Sequence, residues 1–196
     1  MELDSREKWL KKAVDGMRPM FKAAGAEIPT GLQILVSWPL SKGRGVQGEY
    51  YHAGWAADGK TPYITVTPTL ADAAETLSVL VHEVCHACLP KGTKHKKAFA
   101  ELAAGVGLEK PWPATTAGEV LKVKLAELAK KLGPFPHTAM LRHDPTKEEK
   151  PKAKAQMKLG CECSEGLAVW MTPRQAEDFG VPYCPQCKKP MVEVDR

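Results

Sequence analysis

Thr76-Leu-Ser-Val-Leu-Val-His-Glu-Val-Cys-His86 is the stretch on which the fold turns. Thr69 comes shortly before Asp72, Ala73, Ala74 and Glu75, and apolar residues then recur with a helical period to about Leu89. The run predicts a helix with acidic residues in its first turn, where the helix dipole favours them, ended by Pro90 and Gly92. Inside it His82, Glu83 and His86 spell HExxH. An i, i+4 spacing sets both imidazoles on one face, one turn apart and aimed at a common point. Two ligands of a zinc site are pre-aligned in this way, and Glu83 stands beside them, placed to take a proton from water without ligating the metal.

A catalytic zinc takes three protein ligands and keeps one position open, so a third ligand is expected on a nearby element. His95 is the expected one, because the Pro90/Gly92 turn would bring the following segment back beside the helix; Glu101 is the runner-up. The longer pattern HExxHxxGxxH is not met, since Leu89 and Gly92 occupy its glycine and its last histidine. A helix whose histidines merely face solvent is the better reading for a lone histidine, but not for this set.

Working outward, Trp9, Leu10, Ala13, Val14, Met17 and Phe21 recur at helical steps between Ser5 and Ala24 and predict an amphipathic opening helix. Leu32 to Trp38, Glu49 to Trp55 and Tyr63 to Thr67 suit strands, each bounded by Gly, Pro or Asp-Gly punctuation. Beyond the HExxH helix, Lys94 to about Ala104 and Thr116 to Leu132 read as helices, the second with Leu121, Leu125, Leu128 and Leu132 on one face and Gly133-Pro134 at its end. The fold class is therefore α+β: a domain over residues 1–141 with a small three-stranded sheet and a metal helix.

The chain has 196 residues, 43% hydrophobic and 26% charged, the profile of a soluble globular protein rather than a disordered or collagenous one. Its most apolar stretch, Leu77 to Val81, runs straight into His82 and Glu83, so a transmembrane helix of roughly 18 apolar residues is excluded and no membrane partner is expected. The first twelve residues carry charges of both signs and no apolar core, unlike a secretory signal, which makes the cytoplasm the expected compartment. A net charge of +5 favours polyanionic partners weakly.

Residues 142–157 contain no aromatic and only one large apolar residue, Met157 at the end, and read as a basic linker. The remaining 158–196 is too small to be held by an apolar core such as Leu167, Val169, Trp170, Phe179 and Val181, and needs a staple. Six cysteines without an export signal point to metal rather than disulfides. Cys161-Glu-Cys163 and Cys184-Pro-Gln-Cys187 form two knuckles that can close a four-thiolate tetrahedron, so the tail reads as a zinc ribbon. CxxC is the stronger half, and Cys161 in the CxC half is the least certain ligand. The expected cofactors are two Zn2+ ions, one catalytic and one structural. Lys152, Lys154, Lys158 and Arg174 give the tail the charge for nucleic acid contact, although basic residues in a linker are usually just solvated.

The chain resembles the SprT-like zinc metallopeptidases of the bacterial and bacteriophage type. The resemblance rests on Thr76 to His86, on Lys94-His-Lys-Lys-Ala-Phe-Ala-Glu101, on Ala117-Gly-Glu119, on Leu132-Gly-Pro-Phe-Pro-His137 and on the cysteine-bearing tail, and so runs over nearly the whole chain. It implies a zincin-like fold, zinc on His82, His86 and His95, Glu83 as general base, and a protein or peptide substrate. Because family members cleave proteins crosslinked to DNA, it also implies a role on nucleic-acid-associated proteins. The tail departs from a CxxC first knuckle, whose second cysteine would fall at Gly166.

Other signals carry less. Gly43 to Gly48 spells GxGxxG but is followed by strand-like Glu49-Tyr-Tyr-His, leaving no helix N-terminus for a pyrophosphate. Cys85 and Cys88 are expected to be buried small thiols. His52, His137 and His143 have no partner at ligand spacing, and Tyr50 and Tyr51 are equal candidates for oxyanion donor. A reading from another class stays open: a non-catalytic zinc protein that binds nucleic acid.

Overall fold

A computed structural model describes residues 5–41, 45–142 and 156–194. Chain contacts divide it into two compact units, Met1–Asp144 and Pro145–Arg196. The architecture is mixed α and β, and among the described residues no helix is long and apolar enough to cross a membrane.

The first unit opens with α1 (Arg6–Ala23), capped by Ser5, whose hydroxyl accepts from the Lys8 N–H. Its expected face, Trp9 to Phe21, is buried. Three short strands follow: β1 (Gln33–Val36), β2 (Gly48–Tyr51) and β3 (Tyr63–Val66). β3 is central, parallel to β1 and antiparallel to β2, in the order β1-β3-β2. The second expected strand is shorter than its sequence suggests, because His52 caps a 3-10 turn over Ala53–Trp55. Gly48 lies inside β2, so no helix follows the glycine motif.

α2 (Ala73–Ala87) is the HExxH helix, started by Asp72, whose carboxylate accepts from the Glu75 N–H at 2.8 Å. Its Leu77, Leu80, Val81 and Val84 are buried against the sheet and α1, in one core with Ile34, Ile64 and Val66. α3 (Lys97–Val106) starts later than the sequence suggests: Lys94 adopts φ 50, a left-handed backbone no α-helix accommodates, so His95 sits in the loop before the helix. Gly107, at φ 98, ends α3 in the left-handed conformation that favours glycine. The expected helix from Thr116 begins instead at Glu119. The preceding residues form β5 (Thr116–Ala117), which pairs antiparallel with β4 (Leu108–Glu109), and α4 (Glu119–Leu132) follows. Leu121 and Leu125 are buried, with Leu128 and Leu132 packed at the edge of the core.

A buried arginine closes the unit. Arg6 donates to the carbonyls of Pro68 (3.0 Å), Pro136 (2.8 Å), His137 (3.3 Å) and Thr138 (2.8 Å), and its guanidinium lies 4.7 Å from the Phe135 ring centre. Trp9 packs edge-on to Phe135 and donates to the Gly133 carbonyl at 3.1 Å. The Pro-Phe-Pro-His137 segment is thus a clasp on α1, and His137 has a structural setting with φ 63.

The second unit is a three-stranded antiparallel sheet in the order β7-β6-β8, from β6 (Met157–Cys161), β7 (Ser164–Met171) and β8 (Val192–Glu193), with a short helix α5 (Pro173–Phe179) capped by Thr172. β6 begins at Met157, the last residue of the expected linker, and 143–155 lie outside the described residues. Its small core is Leu159, Cys184 and Met191, with Met157, Leu167 and Met171 against it. Of the apolar set read from the sequence only Leu167 packs there. Trp170 and Phe179 are exposed, and Val169 and Val181 lie at the surface; α5 is about two turns long and buries none of its residues.

Candidate metal centres

His82 and His86 share the stripe of α2 that also carries Val79, while Glu83 falls one stripe over, in line with buried Leu80 and Ala87. The loop from Pro90 returns His95 to the same place. The Nε2 atoms of His82 and His86 lie 3.2 and 3.1 Å from that of His95. Zinc with nitrogen at roughly 2.05 Å in a tetrahedral site sets its ligands about 3.3 Å apart, so the triad already has the spacing of one face of such a site. The chemistry of the donors agrees. Three ring nitrogens meet at one point, and burial together with mutual repulsion opposes protonation: burial first, then His95, lowers His82 to about 4, and burial, then His82 and His95, lowers His86 to about 3. His95 is lowered by burial as well. Neutral imidazoles with lone pairs converging fit a cation. Glu101 is not among the grouped donors; it is exposed and pairs with Lys97 at 3.8 Å.

Phe99 of α3 backs the triad, with its ring centre 4.4 to 5.0 Å from all three imidazoles. Thr115, which no sequence pattern marks, lies with its Oγ1 2.8 Å from His82 Nδ1.

Glu83 is 6% exposed and faces the backbone N–H of Tyr50 in β2. Burial, and then the Glu49 carboxylate, raise its carboxyl to about 8 against the pull of that N–H. A carboxyl raised so far is poised to hold a proton near neutrality, and a dication at the triad would favour its charged form. Gly48 makes room for it: a Cβ there would come within 2.8 Å of Glu83 Cγ and of Val79 Cγ1.

Glu83 and the triad line a cleft of about 800 Å³, walled by β2, the Pro90–His95 loop and Pro113–Thr115. Tyr50 and Tyr51 both border it. The Tyr51 hydroxyl is committed to Glu49, whose carboxylate also accepts from the N–H groups of Leu40 (2.8 Å) and Ser41 (3.1 Å), and Tyr50 packs against the core. His52 also lines the cleft, its Nδ1 accepting from the Gly54 N–H at 3.0 Å. Cys85 is buried and Cys88 half-buried; burial raises Cys85 and lifts Cys88 to about 11, which leaves both thiols protonated.

In the second unit Cys161, Cys163, Cys184 and Cys187 form one cluster, with Cys161 3.3 Å from both Cys163 and Cys187, and Cys163 3.5 Å from Cys184. These separations are far beyond a disulfide's roughly 2.05 Å and approach the edge of about 3.8 Å expected of a four-thiolate zinc. Backbone N–H groups of Cys187 and Gln186 lower the Cys184 thiol to about 6, and that of Lys189 lowers Cys187, whereas neighbouring sulfurs, Cys187 first, raise Cys163. Thiolates crowded in this way are what a dication relieves. Arg174 pairs with Asp178 at 3.5 Å, and Lys152 and Lys154 lie outside the described residues.

Both groups of donors could hold metal ions, and their chemistry is compatible with zinc. Comparison with protein-family models, curated proteins and solved structures gives no match to this chain.

Proposed function

We propose that the first unit is a zincin-like metallopeptidase of the SprT-like kind and the second a zinc ribbon. The observation that carries this reading is the convergence of three neutral imidazoles at 3.1 and 3.2 Å beside a buried glutamate, in an open cleft. His82, His86 and His95 would hold the catalytic ion, and Cys161, Cys163, Cys184 and Cys187 the structural one. Zinc in the first site supplies Lewis acidity for the scissile carbonyl and acidifies water.

The remaining work belongs to the chain. Glu83 takes a proton from the attacking water on its carboxylate and passes it to the departing amine; a cation at the triad would favour the charged carboxylate that this transfer starts from. The Tyr50 N–H orients that carboxylate, and the absent Cβ at Gly48 lets it lie against β2. Among the described residues β2 is an edge strand, and its residues line the cleft, which would give an extended peptide access beside Glu83. The substrate class is protein or peptide, with nucleic-acid-associated proteins suggested by the SprT-like resemblance and by the net charge of +5.

The test is a pair of variants assayed for zinc content and for hydrolysis of casein and DNA-bound protein. Glu83→Gln should keep both zincs and lose nearly all cleavage; His95→Ala should lose the first zinc alone. Full activity in purified Glu83→Gln would sink the mechanism. Salt-dependent DNA binding that survives loss of the first zinc, with no protein cleaved by the wild type, would put a nucleic-acid-binding protein in its place.

A further inference from the structure

The three histidines differ in one respect. Among the described residues, only His82 has a protein partner on its second ring nitrogen: Nδ1 lies 2.8 Å from Thr115 Oγ1, while Nε2 points at the triad, 3.2 Å from His95. A neutral imidazole carries one proton, on one nitrogen or the other. If the Thr115 hydroxyl donated to Nδ1, the proton would sit on Nε2, in the space where the three nitrogens meet, and His82 would have no lone pair to offer there. If Nδ1–H donates to Thr115 Oγ1, the Nε2 lone pair faces that space.

We infer that Thr115 is a positioning residue that accepts from His82 Nδ1–H in the ligating tautomer and fixes the ring with Nε2 toward the metal. The inference rests on the reading of the triad as a metal site. Thr115 is suited to this by its placement. It sits where the 3-10 turn Trp112–Ala114 meets β5, at the mouth of a hairpin whose base is closed by β4 and β5 and by a bond from the Gly118 N–H to the Gly107 carbonyl at 2.9 Å. That base leaves no room for a side chain: a Cβ on Gly118 would stand 2.7 Å from Glu109 Oε1 and 3.0 Å from the Gly107 carbonyl. The hydroxyl is thereby presented from a braced loop. His82 and His86 come from one helix and need no further agent to share a face, but an isolated imidazole can turn about χ2; a fixed hydroxyl at Nδ1 removes that freedom, and once Nε2 ligates a cation the hydroxyl accepts the proton left on Nδ1.

The test uses the full chain. Thr115→Val removes the acceptor at constant shape; Thr115→Ser retains it. Cobalt(II) titration distinguishes the two centres, since only the thiolate centre gives an intense near-ultraviolet charge-transfer band, and chelator competition then gives zinc affinity at each. Thr115→Val should weaken zinc at the triad by about 10- to 100-fold, with Thr115→Ser close to wild type and the thiolate centre unchanged in both. Equal triad affinity in wild type and Thr115→Val overturns the inference. So does a Thr115→Ser chain as weak as Thr115→Val, which would assign the loss to packing. A wild-type triad that takes up no metal removes the site and this role together, whereas metal uptake without any hydrolysis removes only the peptidase reading and leaves the affinities to decide Thr115.

Discussion

On the proposed metallopeptidase reading, Gly48→Ala should separate metal binding from catalysis. The added Cβ would lie 2.8 Å from Glu83 Cγ, 2.8 Å from Val79 Cγ1 and 3.0 Å from Glu83 Oε1. Ordinary contacts between such atoms begin at about 3.5 Å, so something must give by roughly 0.5 to 1 Å. β2 is held along its length by β3, Gly48 opposite Val66 and Tyr50 opposite Ile64, and Val79 is fixed in the helix. With the two backbones held, the Val79 methyl must turn aside and the Glu83 side chain must shift. Displacing a catalytic group by about 1 Å costs on the order of 100-fold in rate, equivalent to about 2.7 kcal/mol. No histidine atom is among the new methyl's three nearest neighbours, so zinc content should stay at the wild-type level. The assay is kcat/KM on a quenched casein that the wild type cleaves, with metal per chain on the same preparation. Wild-type turnover in Gly48→Ala would show that Glu83 needs no such fit against β2, and loss of the triad metal would show that β2 supports the histidines instead of the base.

Other outcomes follow from the same geometry. Arg6→Met removes four hydrogen bonds, three to the carbonyls of Pro136, His137 and Thr138 and one to that of Pro68, and should destabilise the first unit by about 3 kcal/mol in urea unfolding; a change under about 1 kcal/mol would mean that water replaces the guanidinium. For the metal-free chain, His82 and His86 have folded pKa values near 4 and 3, below their ordinary 6.5, so their contribution is complete above pH 6.5 and is lost as the pH falls through that range. Glu83, raised from 4.5 to about 8, contributes fully below pH 4.5 and loses that contribution as the pH rises toward 8. Apo stability should therefore peak near pH 6.5, and zinc should flatten the alkaline side; unfolding at pH 5, 6.5 and 8 with and without zinc checks this. Cys161→Ser should cost the second metal and melt residues 156–194, whose core of Leu159, Cys184 and Met191 is too small to stand alone, while the first unit's unfolding midpoint stays put. A folded tail in that variant would exclude Cys161 from the centre.

What could be read from the chain, and what could not, divides by the range of the interaction that decides it. α1, α2 and the three strands of the first sheet follow from local periodicity and from Gly, Pro and Asp punctuation, and HExxH fixes its own geometry because an α-helix allows no other. His95 was legible as a residue but not as a conformation: Lys94 at φ 50 and the later start of α3 are set by the loop's closure onto the triad. β4 and β5 are two residues each and have no period to detect, so Thr116 joined the following helix in the sequence and the hairpin that presents Thr115 went unseen. Arg6 belongs by composition to a polar helix end, and only the return of Gly133–Thr138 makes it a buried anchor. In the tail the interior is made by Leu159, Cys184 and Met191, while Trp170 and Phe179 stay exposed.

The placement of Glu83 shows why the decisive helix is both core and site. Along α2, Leu80, Glu83 and Ala87 form one buried stripe, and Val79, His82 and His86 the next, so the residue one position past His82 is turned by the helix itself toward the sheet. In most helices that position would be apolar. Here the sheet meets it with an edge strand that has a glycine where a side chain would collide and a backbone N–H where a carboxylate needs a donor. Burying a carboxyl without such a partner would cost several kcal/mol, and exposing it would return its pKa to the ordinary range and remove its capacity to hold a proton near neutrality. The short β2 is accordingly part of the setting of this carboxyl: replacing Glu83 by Leu should stabilise the metal-free chain above pH 8, where the buried carboxyl is charged, and a measured loss of stability there would show that the carboxylate is better accommodated than its burial implies.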